Sequence, residues 1–75
     1  ENEIVNLGDL AIFGENARVD AAALVDRGLI RGSGKSVKVL GDGEPPKGLR
    51  LAVDKVSSAA RAKIEANGGS VEIAS

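Results

Sequence analysis

The stretch KVLGDGEPPKGLRL, residues 38–51, decides how this chain folds, because it joins two short runs of alternating apolar and polar side chains. These runs are VKVL (37–40) and GLRLAV (48–53), and each predicts a strand with one solvated face. The two prolines between them cannot donate hydrogen bonds to a sheet. We therefore expect residues 41–47 to form an irregular connection, too long for a two-residue hairpin turn.

The acidic part of this connection, GDGE (41–44), raises two hypotheses, a calcium-binding loop and a pair of catalytic carboxylates. A calcium loop needs oxygen ligands at alternating positions over about twelve residues, and only Asp42 and Glu44 precede the prolines. The same two carboxylates would need a sugar cleft to act as a glycosidase pair, and so short a chain offers no obvious one. The prediction is a turn, in which glycines supply unusual backbone angles and the acids keep the loop solvated.

A second glycine-rich stretch, GSGKS (32–36), matches only the end of a phosphate-binding loop. The required first glycine would fall at position 29, which is a leucine. A phosphate-binding loop also runs from a strand into a helix, whereas this stretch runs from a helix into a strand. We expect a flexible turn with a solvated Lys35.

The best-marked helix lies before that turn. Asp20 is a natural N-cap, and Val19 and Leu24 have the spacing of a hydrophobic staple. Gly28 and Leu29 fit the C′ and C″ positions of a Schellman motif. The sequence predicts a helix over 21–27 with Leu24, Leu29 and Val25 facing the core.

The remaining elements follow from local patterns. EIVNL (3–7) predicts a strand and GDLAIF (8–13) one helical turn. SSAARAKIEANGG (57–69) predicts a helix capped by Ser57, with Ala60 and Ile64 on its buried face. The closing SVEIAS predicts a strand with Val71 and Ile73 inward.

Composition excludes several classes of function. The 75 residues contain no cysteine, no histidine, and a single aromatic residue, a phenylalanine. Disulfides, thiolate metal sites, histidine catalysis and stacking of bases on aromatic side chains are therefore not expected. No apolar run approaches the roughly 20 residues of a membrane span. We interpret Glu1, in the absence of an initiator methionine, as the start of a trimmed or processed piece.

The formal net charge of −1 hides an uneven distribution. Residues 1–26 carry a net charge of −5, and residues 27–63 carry +6. A basic stretch of this kind is the minimum requirement for a polyanionic partner, although the charge alone favours a solvated mixed surface. If 37–40 and 49–53 pair, Lys38 and Arg50 emerge on one sheet face. Phosphate binding would then need only these cations and their neighbours, without aromatic groups or a catalytic base.

The order of the motifs adds a resemblance. VNLGDLA (5–11), VDAAALVDRGLIR (19–31), VKVLGDGE (37–44) and SSAARAKIEANGGSVEI (57–73) together resemble the C-terminal globular domain of the bacterial large-subunit ribosomal protein fifteen family. The match runs in the family's order over nearly the whole chain. Its most specific parts are GLIR followed by KVLGDGE, and the closing helix with NGGSVEI.

The resemblance implies a small single α/β domain over residues 1–75, built of irregular β-β-α units with a short mixed sheet and two main helices. It implies a structural role in the large ribosomal subunit of the cytoplasm, without catalysis, cofactor, metal, membrane or small-molecule substrate. The implied partners are 23S ribosomal RNA and neighbouring large-subunit proteins. The family's basic N-terminal extension is expected to be absent. From the match and the basic set together, the expected RNA-binding residues are Arg31, Lys35, Lys38, Lys47, Arg50, Ser57, Arg61 and Lys63.

Two functional hypotheses stay open at this point. The first is an RNA-binding structural domain of the ribosome. The second is an isolated or engineered domain that keeps the fold without binding RNA, which the net charge of −1 favours. An enzyme has little support from a chain without histidine, cysteine or a catalytic motif.

Overall fold

The computed structural model describes residues 2–73. Our interpretation of Glu1 as a trimmed start, and the end of the predicted SVEIAS strand at residues 74–75, lie outside the described residues. The elements, in chain order, are β1 (Asn2–Asn6), a 3-10 helix (Leu7–Phe13), β2 (Arg18–Asp20), α1 (Ala21–Asp26), β3 (Ser36–Leu40), β4 (Arg50–Val53), β5 (Lys55–Val56), α2 (Ser58–Ala66) and β6 (Ser70–Ile73).

Successive strands alternate between two three-stranded parallel sheets. Sheet A has the order β1-β3-β5, and sheet B has the order β2-β4-β6. The chain therefore winds through three turns of a coil, and each turn contributes one strand to each sheet. This arrangement confirms the predicted α/β class and its irregular β-β-α units.

Residues 37–40 do not pair with 49–53, the condition under which Lys38 and Arg50 would share a sheet face, because β3 and β4 belong to different sheets. The connection between them crosses from one sheet to the other and is held by several backbone hydrogen bonds, including two to carbonyl groups of its first half and its end. The Gly8 N–H donates to the Asp42 carbonyl oxygen at 2.9 Å, and the Asn16 N–H donates to the Lys47 carbonyl oxygen at 2.8 Å. Lys38 and Arg50 consequently do not share a sheet face, and the expected short mixed sheet is replaced by two parallel ones.

The core lies between the two sheets and is closed by the helices. Both inner sheet faces belong to one cluster of buried residues: Val5, Val37 and Val39 of sheet A, and Val19, Leu51 and Val53 of sheet B. The helices add Leu10, Leu24, Ala60 and Ile64 to the same cluster. Because both inner faces meet in one core, the two outer faces point away from it and form separate surfaces.

Helix α1 confirms its predicted caps. The Asp20 side chain accepts a hydrogen bond from the Ala23 N–H at 2.9 Å. At the other end, the Leu29 N–H donates to the Leu24 carbonyl oxygen at 2.9 Å, and Gly28 has the positive φ of +75° that the Schellman motif requires.

The inward prediction is wrong for Val25, and Ile73 is inward but only partly covered. Val25 is 43% exposed, because α1 has only six residues and turns one narrow face, that of Leu24, toward the core. Ile73 is 46% exposed. It pairs in register with the buried Val53 at the last position of β6, so it has the inward orientation but lies at the end of the sheet.

Helix α2 also begins as predicted. The Ser57 hydroxyl accepts a hydrogen bond from the Ala60 N–H at 3.1 Å, and Ala60 and Ile64 are fully buried. The helix ends at Ala66, directly before the predicted stop signals, because Asn67 is its C-cap and Gly68 adopts a positive φ of +77°.

Candidate nucleic-acid interface

The outer face of sheet A carries two lysines side by side. Ile4, Lys38 and Lys55 occupy matching positions on β1, β3 and β5, so their side chains emerge in one row. Lys38 is half-buried in the centre of the sheet, and Lys55 is exposed at its edge. No acidic residue occupies this row.

Sequence reasoning missed Lys55. It lies on β5, a strand of only two residues that follows β4 after a single intervening residue, Asp54. Such a strand is too short to show an alternation of its own. One signal for this strand was available in the sequence. Ser57 is an N-cap with an extended backbone, which indicates that the residues just before it, including Lys55, are also extended.

The outer face of sheet B carries two arginines, but it also carries acids. Arg18, Arg50 and Ser70 lie in one row, in register on β2, β4 and β6. Asp20 and Glu72 lie in the next row of the same face. The Arg18 guanidinium binds the Asp20 carboxylate at 3.0 Å, and Glu72 lines the same shallow pocket as both arginines. The positive charge of this face is therefore balanced locally.

Three of the predicted RNA-binding residues belong to helix α2 or its cap, and they point in different directions. Ser57 uses its hydroxyl to cap the helix. Arg61 and Lys63 are two positions apart, which separates them by about 200° around the helix axis. Arg61 is exposed, whereas Lys63 is half-buried and turns toward the connection between β3 and β4.

Lys63 holds that connection in place. Its Nζ donates to the carbonyl oxygens of Gly41 at 2.8 Å and Gly43 at 2.9 Å, and it lies 3.3 Å from a Glu44 carboxylate oxygen. The GDGE segment is thus a packed turn, as predicted. Within residues 2–73 no group of three or more carboxylate, histidine or cysteine side chains could hold a metal ion.

The glycine-rich turn after α1 is occupied by the protein's own carboxylate. Glu3 accepts hydrogen bonds from the Arg31 N–H at 2.7 Å and from the Ser33 N–H and hydroxyl at 3.4 and 3.2 Å. The Arg31 N–H has the largest effect, and together these donors hold the pKa of Glu3 below its ordinary value. Because Glu3 already satisfies these N–H groups, they do not form a phosphate cradle.

The remaining predicted residues lie in exposed loops on different parts of the chain. Arg31 and Lys35 flank the glycine-rich turn before β3, and Lys47 lies in the connection before β4. The described helices include none that is long and apolar enough to cross a membrane.

The fold is a small parallel coil of β-β-α units, and the outer face of one of its two sheets is basic. The residues that the structure describes form no recognisable catalytic centre. Comparison with known proteins identifies its family. Residues 4–72 match the family model of ribosomal proteins 50S-L15, 50S-L18e and 60S-L27a, and the chain belongs to this family. The suggested resemblance is confirmed.

Curated relatives agree with that assignment, and three of them illustrate it, each named large ribosomal subunit protein uL15. The protein from Desulforapulum autotrophicum is 51% identical over 70 residues, which are 93% of this chain and 48% of that protein. The protein from Geobacter metallireducens is 48% identical over 69 residues, 92% of this chain and 47% of that protein. The protein from Coprothermobacter proteolyticus is 45% identical over 73 residues, 97% of this chain and 49% of that protein.

The chain thus spans about half the length of the curated relatives that it matches. The family model and these relatives are named as ribosomal proteins. This agrees with the prediction that the chain is not an enzyme.

Proposed function

We propose that this chain is a structural constituent of the large ribosomal subunit in the cytoplasm, where it binds 23S ribosomal RNA through backbone phosphates and contacts neighbouring large-subunit proteins. Membership of the ribosomal family over residues 4–72 is the observation that carries the proposal. The net charge of +6 in residues 27–63 supports an RNA partner, since phosphate contacts require only cations within reach.

The proposed RNA contacts are Arg31, Lys35, Lys38, Lys47, Arg50, Ser57, Arg61 and Lys63. They fall into distinct groups. Lys38 lies on an acid-free sheet face, Arg50 on a face that acids neutralise, and Arg31, Lys35 and Lys47 in loops. Ser57 and Lys63 also have structural roles, so substitutions there would change stability as well as RNA affinity.

A second candidate is a domain that keeps the fold without binding RNA. The internal use of Lys63 and the balanced charges on sheet B favour it. A filter-binding titration against 23S RNA fragments at two salt concentrations separates the two candidates. We expect binding that weakens steeply with salt, because phosphate contacts release counterions. No measurable binding at low salt would support the second candidate.

Charge reversal provides a residue-level control. Lys38→Glu should weaken binding more than Arg27→Glu, because Arg27 lies outside the proposed contact set and stacks over the Phe13 ring at 5.5 Å. Arg18 is a poorer control for Arg50 than the sequence suggests, since the two arginines are neighbours in register on sheet B. Equal effects of the two reversals would mean that the basic face is wrongly placed.

A further inference from the structure

The row formed by Ile4, Lys38 and Lys55 on the outer face of sheet A contains an uncompensated pair of like charges. Lys38 and Lys55 are direct register partners on adjacent parallel strands, whose axes are about 4.8 Å apart. Among residues 2–73, the ion pairs and hydrogen bonds of the structure leave both ammonium groups without a carboxylate partner.

Like charges directly opposite each other on a sheet are destabilising in the free protein. The nearest acids in the sequence cannot relieve this repulsion, because they serve other groups. Asp54, the residue before Lys55, accepts a hydrogen bond from the Val37 N–H at 2.9 Å. Glu3, the residue before Ile4, is occupied by the turn at residues 31–33. An anion placed over the two lysines would supply the missing compensation.

The outer face of sheet B provides the comparison within the same molecule. It too has two cations in register, Arg18 and Arg50, but Asp20 pairs with the first at 3.0 Å and Glu72 lies in the same pocket. A polyanion approaching this face would meet two carboxylates as well as two guanidinium groups. The two outer faces point away from the shared core, so one RNA strand would bind to one face or the other.

We propose that the outer face of sheet A is the surface that meets the RNA sugar–phosphate backbone, with Lys38 and Lys55 acting as a pair on its phosphates. This inference rests on the proposed function and adds Lys55, which lies on a strand too short to show an alternation of its own. It also ranks two contacts: Lys55 contributes more to RNA binding than Arg50.

The test compares the wild-type protein with four variants in filter-binding titrations of 23S RNA fragments over a series of salt concentrations. Lys38→Gln/Lys55→Gln removes the pair, and Lys55→Gln removes one member of it. Arg27→Gln removes one charge outside the proposed contacts and is the matched control for Lys55→Gln, and Arg50→Gln tests sheet B. The paired-lysine variant should reduce the slope of log affinity against log salt by about 1.4–1.8, since each phosphate contact contributes about 0.7–0.9. The control variant should leave the slope unchanged, and Arg50→Gln should change affinity less than Lys55→Gln.

A charge reversal adds a readout that a merely structural role would not produce. Lys55→Glu converts the like-charge pair into an opposite-charge pair with Lys38, so it should raise Tm by about 1–5 °C while it weakens RNA binding. A fall in Tm, or an Arg50→Gln effect as large as that of Lys55→Gln, would overturn the inference while leaving the proposed function intact. Wild-type protein that does not bind at low salt would overturn both.

Discussion

The Nζ atom of Lys63, on helix α2, lies 2.8 Å from the carbonyl oxygen of Gly41, at the end of strand β3. This contact ties the helix to the segment that carries the chain from one sheet to the other. A lysine that sequence reasoning assigns to RNA therefore also has a role inside the protein. Its charged hydrogen bonds satisfy two backbone carbonyl groups in a turn that lacks regular structure.

Loss of this contact should destabilise the domain. Lys63→Met removes both hydrogen bonds to the connection while keeping much of the apolar stem, and we expect the free energy of unfolding to fall by about 1–2 kcal/mol. The matched variant Glu44→Gln removes only a solvent-exposed ion pair and should cost less than about 0.5 kcal/mol. Urea unfolding measures both, and equal costs would show that the carbonyl contacts contribute nothing.

Gly43 should be the least replaceable glycine of the connection. Its φ is +87°, and a Cβ at this position would lie 2.7 Å from the backbone N and Cα atoms of Gly8. Gly43→Ala should therefore cost more than about 3 kcal/mol, because backbone must move as well as adopt an unfavourable angle.

Gly28→Ala is the matched control for that substitution. Gly28 has a similar φ of +75°, but nothing lies within 4 Å of the position that a Cβ would take there. The cost of this substitution should stay near about 1 kcal/mol, that of the backbone angle alone. Chemical denaturation compares the two variants, and similar costs would contradict the close approach of Gly43 to Gly8.

Neighbouring residues of α1 should respond very differently to truncation. Leu24 is fully buried and Val25 is 43% exposed. Leu24→Ala should cost about 2–5 kcal/mol of unfolding free energy, whereas Val25→Ala should remain within about 0.5 kcal/mol. Thermal or urea unfolding of the two variants decides this, and a large effect at Val25 would mean that α1 is rotated relative to the core.

Asp20 should make the domain sensitive to acid. The Ala23 N–H, followed by the Arg18 side chain, holds the pKa of Asp20 below its ordinary value. A carboxylate with a lowered folded-state pKa stabilises the protein above its unfolded-state pKa, and this contribution is lost as pH falls through the folded-state value. Stability should therefore decline below about pH 4, and Glu3, whose pKa is also lowered, should act in the same direction.

Two substitutions isolate the contribution of Asp20. Asp20→Asn keeps a cap acceptor without a titrating group, so it should flatten part of the acid-induced decline. Asp20→Ala removes the cap and should cost about 1 kcal/mol at neutral pH. Unfolding measured from about pH 2 to about pH 7 tests both; an unchanged decline in the asparagine variant would show that Asp20 does not titrate as described.

The sequence predicts most of this fold's elements because their signals are local. Capping by Asp20 and Ser57 and the reversal at Gly28 each depend on side chains within a few positions, and all three are found in the structure. The pairing of strands is a different matter. Lys38 of β3 pairs with Lys55 of β5, although β4 lies between these two strands in the sequence and belongs to the other sheet. No local pattern encodes such parallel pairing between separate turns of a coil.

The candidate interface is predictable in composition but not in arrangement. The basic middle of the chain is visible in the charges alone, and the alternation of β3 identifies Lys38 as a solvated strand position. The sequence places Lys38 with Arg50, because two adjacent alternating runs suggest neighbouring strands. The connection between them instead changes sheets, which gives Lys38 a partner, Lys55, that lies on a two-residue strand.

The most direct test of RNA binding through sheet A is to titrate an unlabelled 23S RNA fragment into isotope-labelled protein and follow every backbone amide by NMR. We predict that the largest shift changes occur in β3 and β5, at residues 36–40 and 55–56, which carry Lys38 and Lys55. If the largest changes occur in β2, β4 and β6 instead, the RNA lies on sheet B and the proposed binding face is wrong.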